Sequence, residues 1–187
     1  MRPLYVVNNF GQTNHLILRM LRDLGIDAKM IRNDTPPAEV LDGCRGIILG
    51  GGPSLERAGR APEYLDLGVP VLGICLGLHI IATANGGAVT HSPSGGFGSV
   101  SVDIIDHDRI LLGYPDRISV WASHADEVTT VPAGFDLLAR SSICGVEAIG
   151  RDSDYCYGIQ WHPEVSHSVN GRLVYENFDH LCRGLLG

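Results

Sequence analysis

Pro70-Val71-Leu72-Gly73-Ile74-Cys75-Leu76-Gly77-Leu78-His79-Ile80-Ile81-Ala82 joins an apolar run of strand length to a helix-period pattern through a Gly-x-Cys-x-Gly turn. The pattern predicts a strand-to-helix elbow with Cys75 at its apex. Such a turn is sharp, and side chains two residues before and after its centre would collide, which accounts for Gly73 and Gly77. The elbow would lift the sulfur to the carboxyl end of a sheet and aim the first amides of the helix at it, a setting that favours a thiolate. A cysteine in an apolar run is most often a small buried hydrophobe. A buried strand, however, gains nothing from glycine at both flanking positions, so Cys75 reads as a candidate nucleophile.

Upstream, the chain reads as a strand at Leu4 to Asn8, a helix from about Asn14 to Leu24 closed by Gly25, and a strand at Ala28 to Ile31. A loop with Pro36-Pro37, a short helix through Val40 and Leu41, and an apolar strand Gly46 to Leu49 lead into Gly50-Gly51-Gly52-Pro53-Ser54. This alternation is the grammar of a parallel sheet with helices on both faces. After Gly86-Gly87 the grammar changes. From Gly98 onward, strand-like runs at Val100 to Ile105, Ile118 to Ala122, Phe135 to Ala139, Val146 to Ile149 and Tyr155 to Gln160 suggest antiparallel or mixed pairing. A last helix is expected from about Gly171 to Leu186, with Leu173, Val174, Phe178, Leu181 and Leu185 on one stripe. No repeat or linker interrupts the chain, so the reading is one α/β domain over residues 1–187: a mixed, mainly parallel central sheet, helices on both faces, and a nucleophile elbow.

Composition narrows the function. A chain of 187 residues suits one well-cored domain. A formal charge of −7 without a Lys/Arg-rich run argues against binding nucleic acid or an acidic membrane. Nothing near the N-terminus reads as a signal peptide and no apolar run would span a bilayer, so a cytoplasmic location is expected. Cys44, Cys75, Cys144, Cys156 and Cys182 are odd in number and never in a C-x-x-C pair, which suits free thiols in a reducing compartment. His162, Glu164 and His167 are close in sequence, but no H-E-x-x-H or C-x-x-C spacing supports a metal site.

Tyr157-Gly158-Ile159-Gln160-Trp161-His162-Pro163-Glu164 is the second informative stretch. In an extended chain, residues two apart project to the same side, so Glu164 can orient His162 as the base and acid that a cysteine nucleophile needs. Alone, His-Pro-Glu would also suit a loop with a solvated salt link. The third part is the glycine loop. Acyl transfer creates an oxyanion, and preset backbone donors stabilise it by about 3–4 kcal/mol each. The amide of Leu76 is one candidate, and Gly52 is the other because Pro53 has no N–H. A phosphate-cradling role fails because neither Gly-Lys-Ser/Thr nor G-x-G-x-x-G is present.

Gly50 to Ser54, Gly73 to Gly77, Trp121-Ala122-Ser123-His124-Ala125-Asp126 and Gly158 to Glu164 together resemble a class I glutamine amidotransferase domain, in the right order across nearly the whole chain. The resemblance implies the family's flavodoxin-like fold and the hydrolysis of glutamine to glutamate, with ammonia delivered to a synthase. It implies Cys75 as nucleophile, His162 as proton shuttle, Glu164 as its orienter, and Gly52 and Leu76 as the oxyanion hole. Substrate contacts would map to Ser54, His79, Ser123, Ala125 and Asp126. Among the branches, Val120 to Val128 with Pro132-Ala133-Gly134-Phe135 most resembles the glutaminase that serves GMP synthesis. That branch implies a partner, an ATP pyrophosphatase (synthetase) subunit that holds ATP and Mg and aminates xanthosine monophosphate, while this chain binds no cofactor or metal and docks with its sulfur face inward. Two alternatives stay open: the glutaminase of anthranilate or aminodeoxychorismate synthase, and a non-catalytic regulatory subunit. Three positions depart from the family's pattern. His79 stands where glutamine is usual, and would otherwise read as a helix histidine facing a polar neighbour. Ala125 replaces glycine, which matters if that backbone needs a positive φ. Ser94-Gly95-Gly96-Phe97-Gly98 replaces a loop that commonly carries Glu-Tyr-Gly.

Overall fold

The strands β1 (Leu4–Asn8), β3 (Gly46–Leu49) and β4 (Val71–Ile74) are short and aliphatic, and β3 and β4 are buried at every position. Strands apolar on both faces need cover on both faces, and the helices between them supply it. The computed structural model describes residues 1–186, apart from the side chains of Pro93 and Ser94; Gly187 and those two side chains lie outside the described residues. The remaining elements are α1 (Asn14–Asp23), β2 (Ala28–Arg32), α2 (Pro37–Gly43), α3 (Leu76–Ala84), β5 (Ala88–Ile104), β6 (Arg117–Thr130), β7 (Asp136–Ser141), β8 (Ala148–Arg151), β9 (Cys156–Ile159) and α4 (Arg172–Cys182).

One sheet of order β2-β1-β3-β4-β9-β8-β7-β5-β6 carries everything else. From β2 to β9 the pairing is parallel; from β9 through β8, β7 and β5 to β6 it is antiparallel. On one face, Ile17 and Leu21 of α1 and Val174, Phe178 and Leu181 of α4 pack on Leu4, Val6, Ile48, Leu72 and Ile159. On the other, Val40 of α2 and Leu78, Ile80 and Ile81 of α3 cover Ile47, Leu49, Val71 and Ile149. Because the chain runs from β1 outward to β2 and then back past β1 to β3, the order reverses at β1 and β3. Crevices at such reversals, beyond the carboxyl ends of parallel strands, are where α/β sheets hold their ligands.

Two expectations are corrected. Strand β5 begins at Ala88, directly after Gly87, well before the run expected at Val100 to Ile105, and passes through Ser94 to Gly98, where the resemblance implies a loop. Gly95 and Gly98 have φ of +60° and +97°, and a register shift lies between His91 and Gly96, so the turn-like residues make a bulge within a long ribbon with β6. The last helix ends at Cys182, because Gly184 takes φ +68° and closes it, although the apolar stripe continues through Leu185.

Candidate active site

The elbow forms as the sequence predicts, with the strain placed on the cysteine itself. Cys75 joins β4 to α3 at φ 54° and ψ −104°, a conformation that a residue with a side chain rarely adopts. The turn is held from both sides. Cys75 N–H donates to the Ile159 carbonyl of β9 at 2.7 Å, and His79 N–H donates to the Cys75 carbonyl at 3.2 Å. The flanking glycines are required by proximity. A Cβ on Gly73 would stand 2.3 Å from the Gly77 carbonyl carbon, and one on Gly77 would stand 2.2 Å from the Leu49 carbonyl oxygen. Cys75 sits at the start of α3, whose first amides have no partner within the helix. Its sulfur lies 3.8 Å from the Ser123 carbonyl and 3.7 Å from Gln160 Nε2.

His162 and Glu164 come together, by a different geometry from the extended strand that the spacing suggests. Strand β9 stops at Ile159, and His162 opens a turn in which Val165 N–H donates back to the His162 carbonyl at 3.3 Å. That turn brings Glu164 Oε1 to 2.7 Å from His162 Nδ1. The carboxylate also accepts from Thr13 Oγ1 at 2.7 Å and from Tyr175 at 3.4 Å. The Ser168 hydroxyl fixes the backbone beneath, donating to the His162 carbonyl at 2.6 Å while accepting from Trp121 N–H at 3.0 Å. Burial alone would lower the His162 pKa, but the Cys75 sulfur and the Glu164 carboxylate outweigh it and push it up to about 10. The imidazolium is therefore the favoured form at neutral pH, poised between a sulfur and a carboxylate.

The glycine loop lies across the front of this pair. A Cβ added at Gly51 would meet His162 Cε1 at 3.5 Å and Cys75 Cβ at 3.9 Å, so the loop borders both groups. Two asparagines hold it. Asn9 Nδ2 donates to the Gly50 carbonyl at 2.9 Å, and Asn14 Nδ2 donates to the Gly51 carbonyl at 3.0 Å and to Asn8 Oδ1 at 3.1 Å. Gly52 has no space for a side chain, with Asn9 O 2.2 Å and Leu76 Cδ2 2.6 Å from where a Cβ would be. The two expected oxyanion donors, Gly52 and Leu76, thus lie against each other at the mouth of the site.

Cys75 separates two openings. One, about 480 Å³, is bordered by Gly52, Ser54, His79, Ser123, Ala125 and Asp126, so all five expected substrate contacts meet in one cleft. The other, about 420 Å³, is bordered by Thr13, Gly51, Trp121 and His162. Ala125 keeps a negative φ, so the loss of glycine there strains nothing. His79 is buried in α3, and its Nε2 lies 2.8 Å from Gln160 Oε1. Burial lowers its pKa, which keeps the ring neutral. Asp126 faces outward and pairs with His91 at 3.2 Å. A nucleophile, a carboxylate-oriented imidazole, backbone donors and a polar cleft form one constellation, which can perform acyl transfer from a small amide through a thioester.

The site also uses Thr13, Asn9, Asn14, Gln160, Ser168 and Tyr175, which sequence reasoning does not single out. Asn8 ends the first strand of a parallel sheet, and Asn9 and Thr13-Asn14 follow it, a position that marks them as crevice residues. Ser168 and Tyr175 carry no such signal, since only the folded turn brings them under His162.

Residues 5–181 match the class-I glutamine amidotransferase family, and the chain belongs to that family. At the level of individual relatives, it is 69% identical over 182 residues to a glutamine-hydrolysing GMP synthase subunit of Methanoculleus marisnigri, covering 97% of this chain and 99% of that one. It is 63% identical to the protein of the same name from Methanospirillum hungatei, covering 98% of each. A crystal structure described as a GMP synthase subunit from Thermoplasma acidophilum superposes with a TM-score of 0.93 at 37% identity, over 98% of this chain and 95% of that one.

Proposed function

We propose that this chain is the glutamine-hydrolysing subunit of a two-subunit GMP synthase, releasing ammonia for a separate ATP pyrophosphatase subunit that aminates xanthosine monophosphate. The observation that carries the chemistry is Cys75 at φ 54°, set beside an imidazole that Glu164 holds at 2.7 Å. The choice of branch is supported by the near-full-length relatives, which are named as GMP synthase subunits and whose whole length this chain spans.

In this reading, glutamine lies in the cleft of Ser54, Ser123 and Asp126 with its side-chain amide at Cys75. The thiolate attacks the amide carbon, and the resulting oxyanion is received by the N–H groups of Gly52 and Leu76. The C–N bond breaks as His162 gives its proton to the departing nitrogen, which leaves as ammonia and a glutamyl thioester on Cys75. His162, now neutral, takes a proton from a water molecule. The hydroxide adds to the thioester carbon, the C–S bond breaks, and glutamate and the thiolate–imidazolium pair are restored. Glu164 keeps the imidazole oriented throughout, and Thr13 and Tyr175 keep Glu164 in place. The chain brings no cofactor to these steps; ATP and Mg belong to the partner's half of the synthesis.

The test measures glutamate release by the purified chain, alone and with the partner subunit, ATP and xanthosine monophosphate. Glutamate and GMP together support the reading. Glutamate without GMP refutes the branch and leaves anthranilate or aminodeoxychorismate synthase as the next partner to try. Neither product under any mixture refutes the enzymatic reading and favours a non-catalytic subunit.

A further inference from the structure

One buried amide touches the sulfur and has no part in the steps above. Gln160 follows β9, is fully buried, and places Nε2 3.7 Å from Cys75 Sγ and Oε1 2.8 Å from His79 Nε2. Its backbone is fixed as well, since Gln160 N–H donates to the Glu147 carbonyl across the sheet at 2.7 Å. A carboxamide has one end that only donates and one that only accepts. In this orientation Oε1 needs a donor, and the neutral His79 ring supplies it from Nε2–H. The reversed amide would set a carbonyl oxygen against the sulfur, an arrangement that a thiol tolerates and a thiolate does not. His79 belongs to the first turn of α3, and its own N–H holds the Cys75 carbonyl, so one residue is tied to the nucleophile through both backbone and side chain.

We propose that Gln160 is a further hydrogen-bond donor to the Cys75 sulfur, and that His79 is the positioning residue that keeps the amide's NH2 turned toward it. The proposal rests on the glutaminase reading of the site and gives the departure at His79 a role. His79 serves the nucleophile through Gln160, and glutamine binding falls to the other residues of the cleft.

The test uses Cys75 alkylation by iodoacetamide at pH 7, read by mass spectrometry on the intact chain, with steady-state glutamine hydrolysis by the complex as a second readout. Alkylation needs neither glutamine nor the partner, so it separates failure of this proposal from failure of the assigned function. Gln160→Leu and His79→Leu are expected to slow alkylation about tenfold, the loss of one hydrogen bond to a charged group, and to lower kcat with KM within about twofold. His79→Gln, whose own NH2 can donate to Gln160 Oε1, recovers most of what His79→Leu loses. Gln160→Glu keeps the shape, replaces the donor with an acceptor, and slows alkylation at least as much as Gln160→Leu. It also keeps the proposal testable if a leucine variant fails to fold. Alkylation at the unsubstituted rate in Gln160→Glu overturns the proposal. A raised KM with unchanged kcat and alkylation in His79→Leu overturns it too, and returns His79 to direct contact with glutamine.

Discussion

Replacing Glu164 by glutamine keeps the size and the acceptor oxygen facing His162 Nδ1, and removes the charge. The contact is 2.7 Å long and buried, so it is a charge-assisted hydrogen bond with little solvent to screen it. Exchanging such a bond for one to a neutral acceptor sacrifices the difference between the two, about 1–1.5 kcal/mol, which on the transition state corresponds to a loss of roughly fivefold to tenfold in kcat. Thr13 Oγ1 and Tyr175, the other partners of the carboxylate, can remain in place against the amide, so the loss is one of charge more than of architecture. The pH dependence should move as well. In the unsubstituted protein, burial is outweighed by Cys75 and Glu164, and His162 stays protonated up to about pH 10. Without the carboxylate only the sulfur opposes burial, and the alkaline limb of kcat should move to lower pH. Stability follows the same sign. The folded imidazole holds its proton more tightly than the unfolded one, so its contribution is complete below the ordinary histidine value of 6.5 and is lost as pH rises toward 10. Glu164→Gln should therefore be less stable than the parent at pH 6 and approach it above pH 10. Glutamine hydrolysis by the complex from pH 6 to 10, with urea unfolding at the two ends, measures all three effects. A kcat within threefold of the parent, with an unmoved alkaline limb, would refute the idea that the carboxylate sets the charge state of His162.

On the proposed function, Cys75→Ala should abolish glutamine-dependent synthesis while ammonia-dependent synthesis by the proposed partner survives. Cys75→Gly should do the same and unfold at higher urea than Cys75→Ala by about 1 kcal/mol, because glycine accepts the φ of 54° that strains alanine; equal midpoints would mean that the elbow stores no strain. Gly52→Ala puts a Cβ 2.2 Å from the Asn9 carbonyl oxygen, so the loop must move and turn its N–H away. The expected result is at least a hundredfold lower kcat with a stability loss of only about 1–3 kcal/mol, read by steady-state kinetics and thermal unfolding. Glu147 is fully buried with both carboxyl oxygens unpaired; burial raises its pKa to about 7, Ser141 softens the effect and Glu127 adds to it. The folded carboxyl binds its proton more tightly than the unfolded one, so stability should fall as pH rises from 4.5 to 7. Glu147→Gln should remove that fall and gain about 1–3 kcal/mol over the parent at pH 8 compared with pH 5 in urea unfolding.

The parts of the fold that were legible are those in which local pattern and tertiary demand agree. The strands Leu4–Asn8 and Gly46–Leu49 fall where their aliphatic runs place them, because a strand buried on both faces must be apolar throughout and its neighbours in sequence are not. The elbow was legible for a stronger reason: Gly73 touches Gly77 and Gly77 touches Leu49, so two glycines at fixed spacing record a backbone contact directly. The bulge between His91 and Gly96 was not, since positive φ inside a strand and positive φ in a loop call for the same residue. Ala125 raised a question that composition could not settle, because only the backbone angle says whether glycine is needed there. The turn at His162 to Val165 replaced an extended segment for a similar reason: the spacing of His162 and Glu164 suits either, and what selects the turn is Ser168 and Trp121, distant in sequence or outside any motif.

The site itself follows from the parallel half of the sheet. β1, β3, β4 and β9 are consecutive neighbours, so their carboxyl ends stand side by side, and each releases one component there. Asn8 and Asn9 leave β1, the glycine loop leaves β3, Cys75 leaves β4, and Gln160 and His162 leave β9. Each component is then held by one from another strand. Asn9 holds Gly50, Gln160 reaches Cys75, and the Ile159 carbonyl anchors the strained Cys75 amide. A motif scan sees the components that have unusual composition, the glycines and the His-Pro-Glu. It misses the asparagines and the glutamine, whose side chains do the cross-strand holding, because their meaning lies in strand adjacency. Strain at Cys75 is sustainable only while those contacts persist, so disturbing the holders should lower activity before it lowers stability.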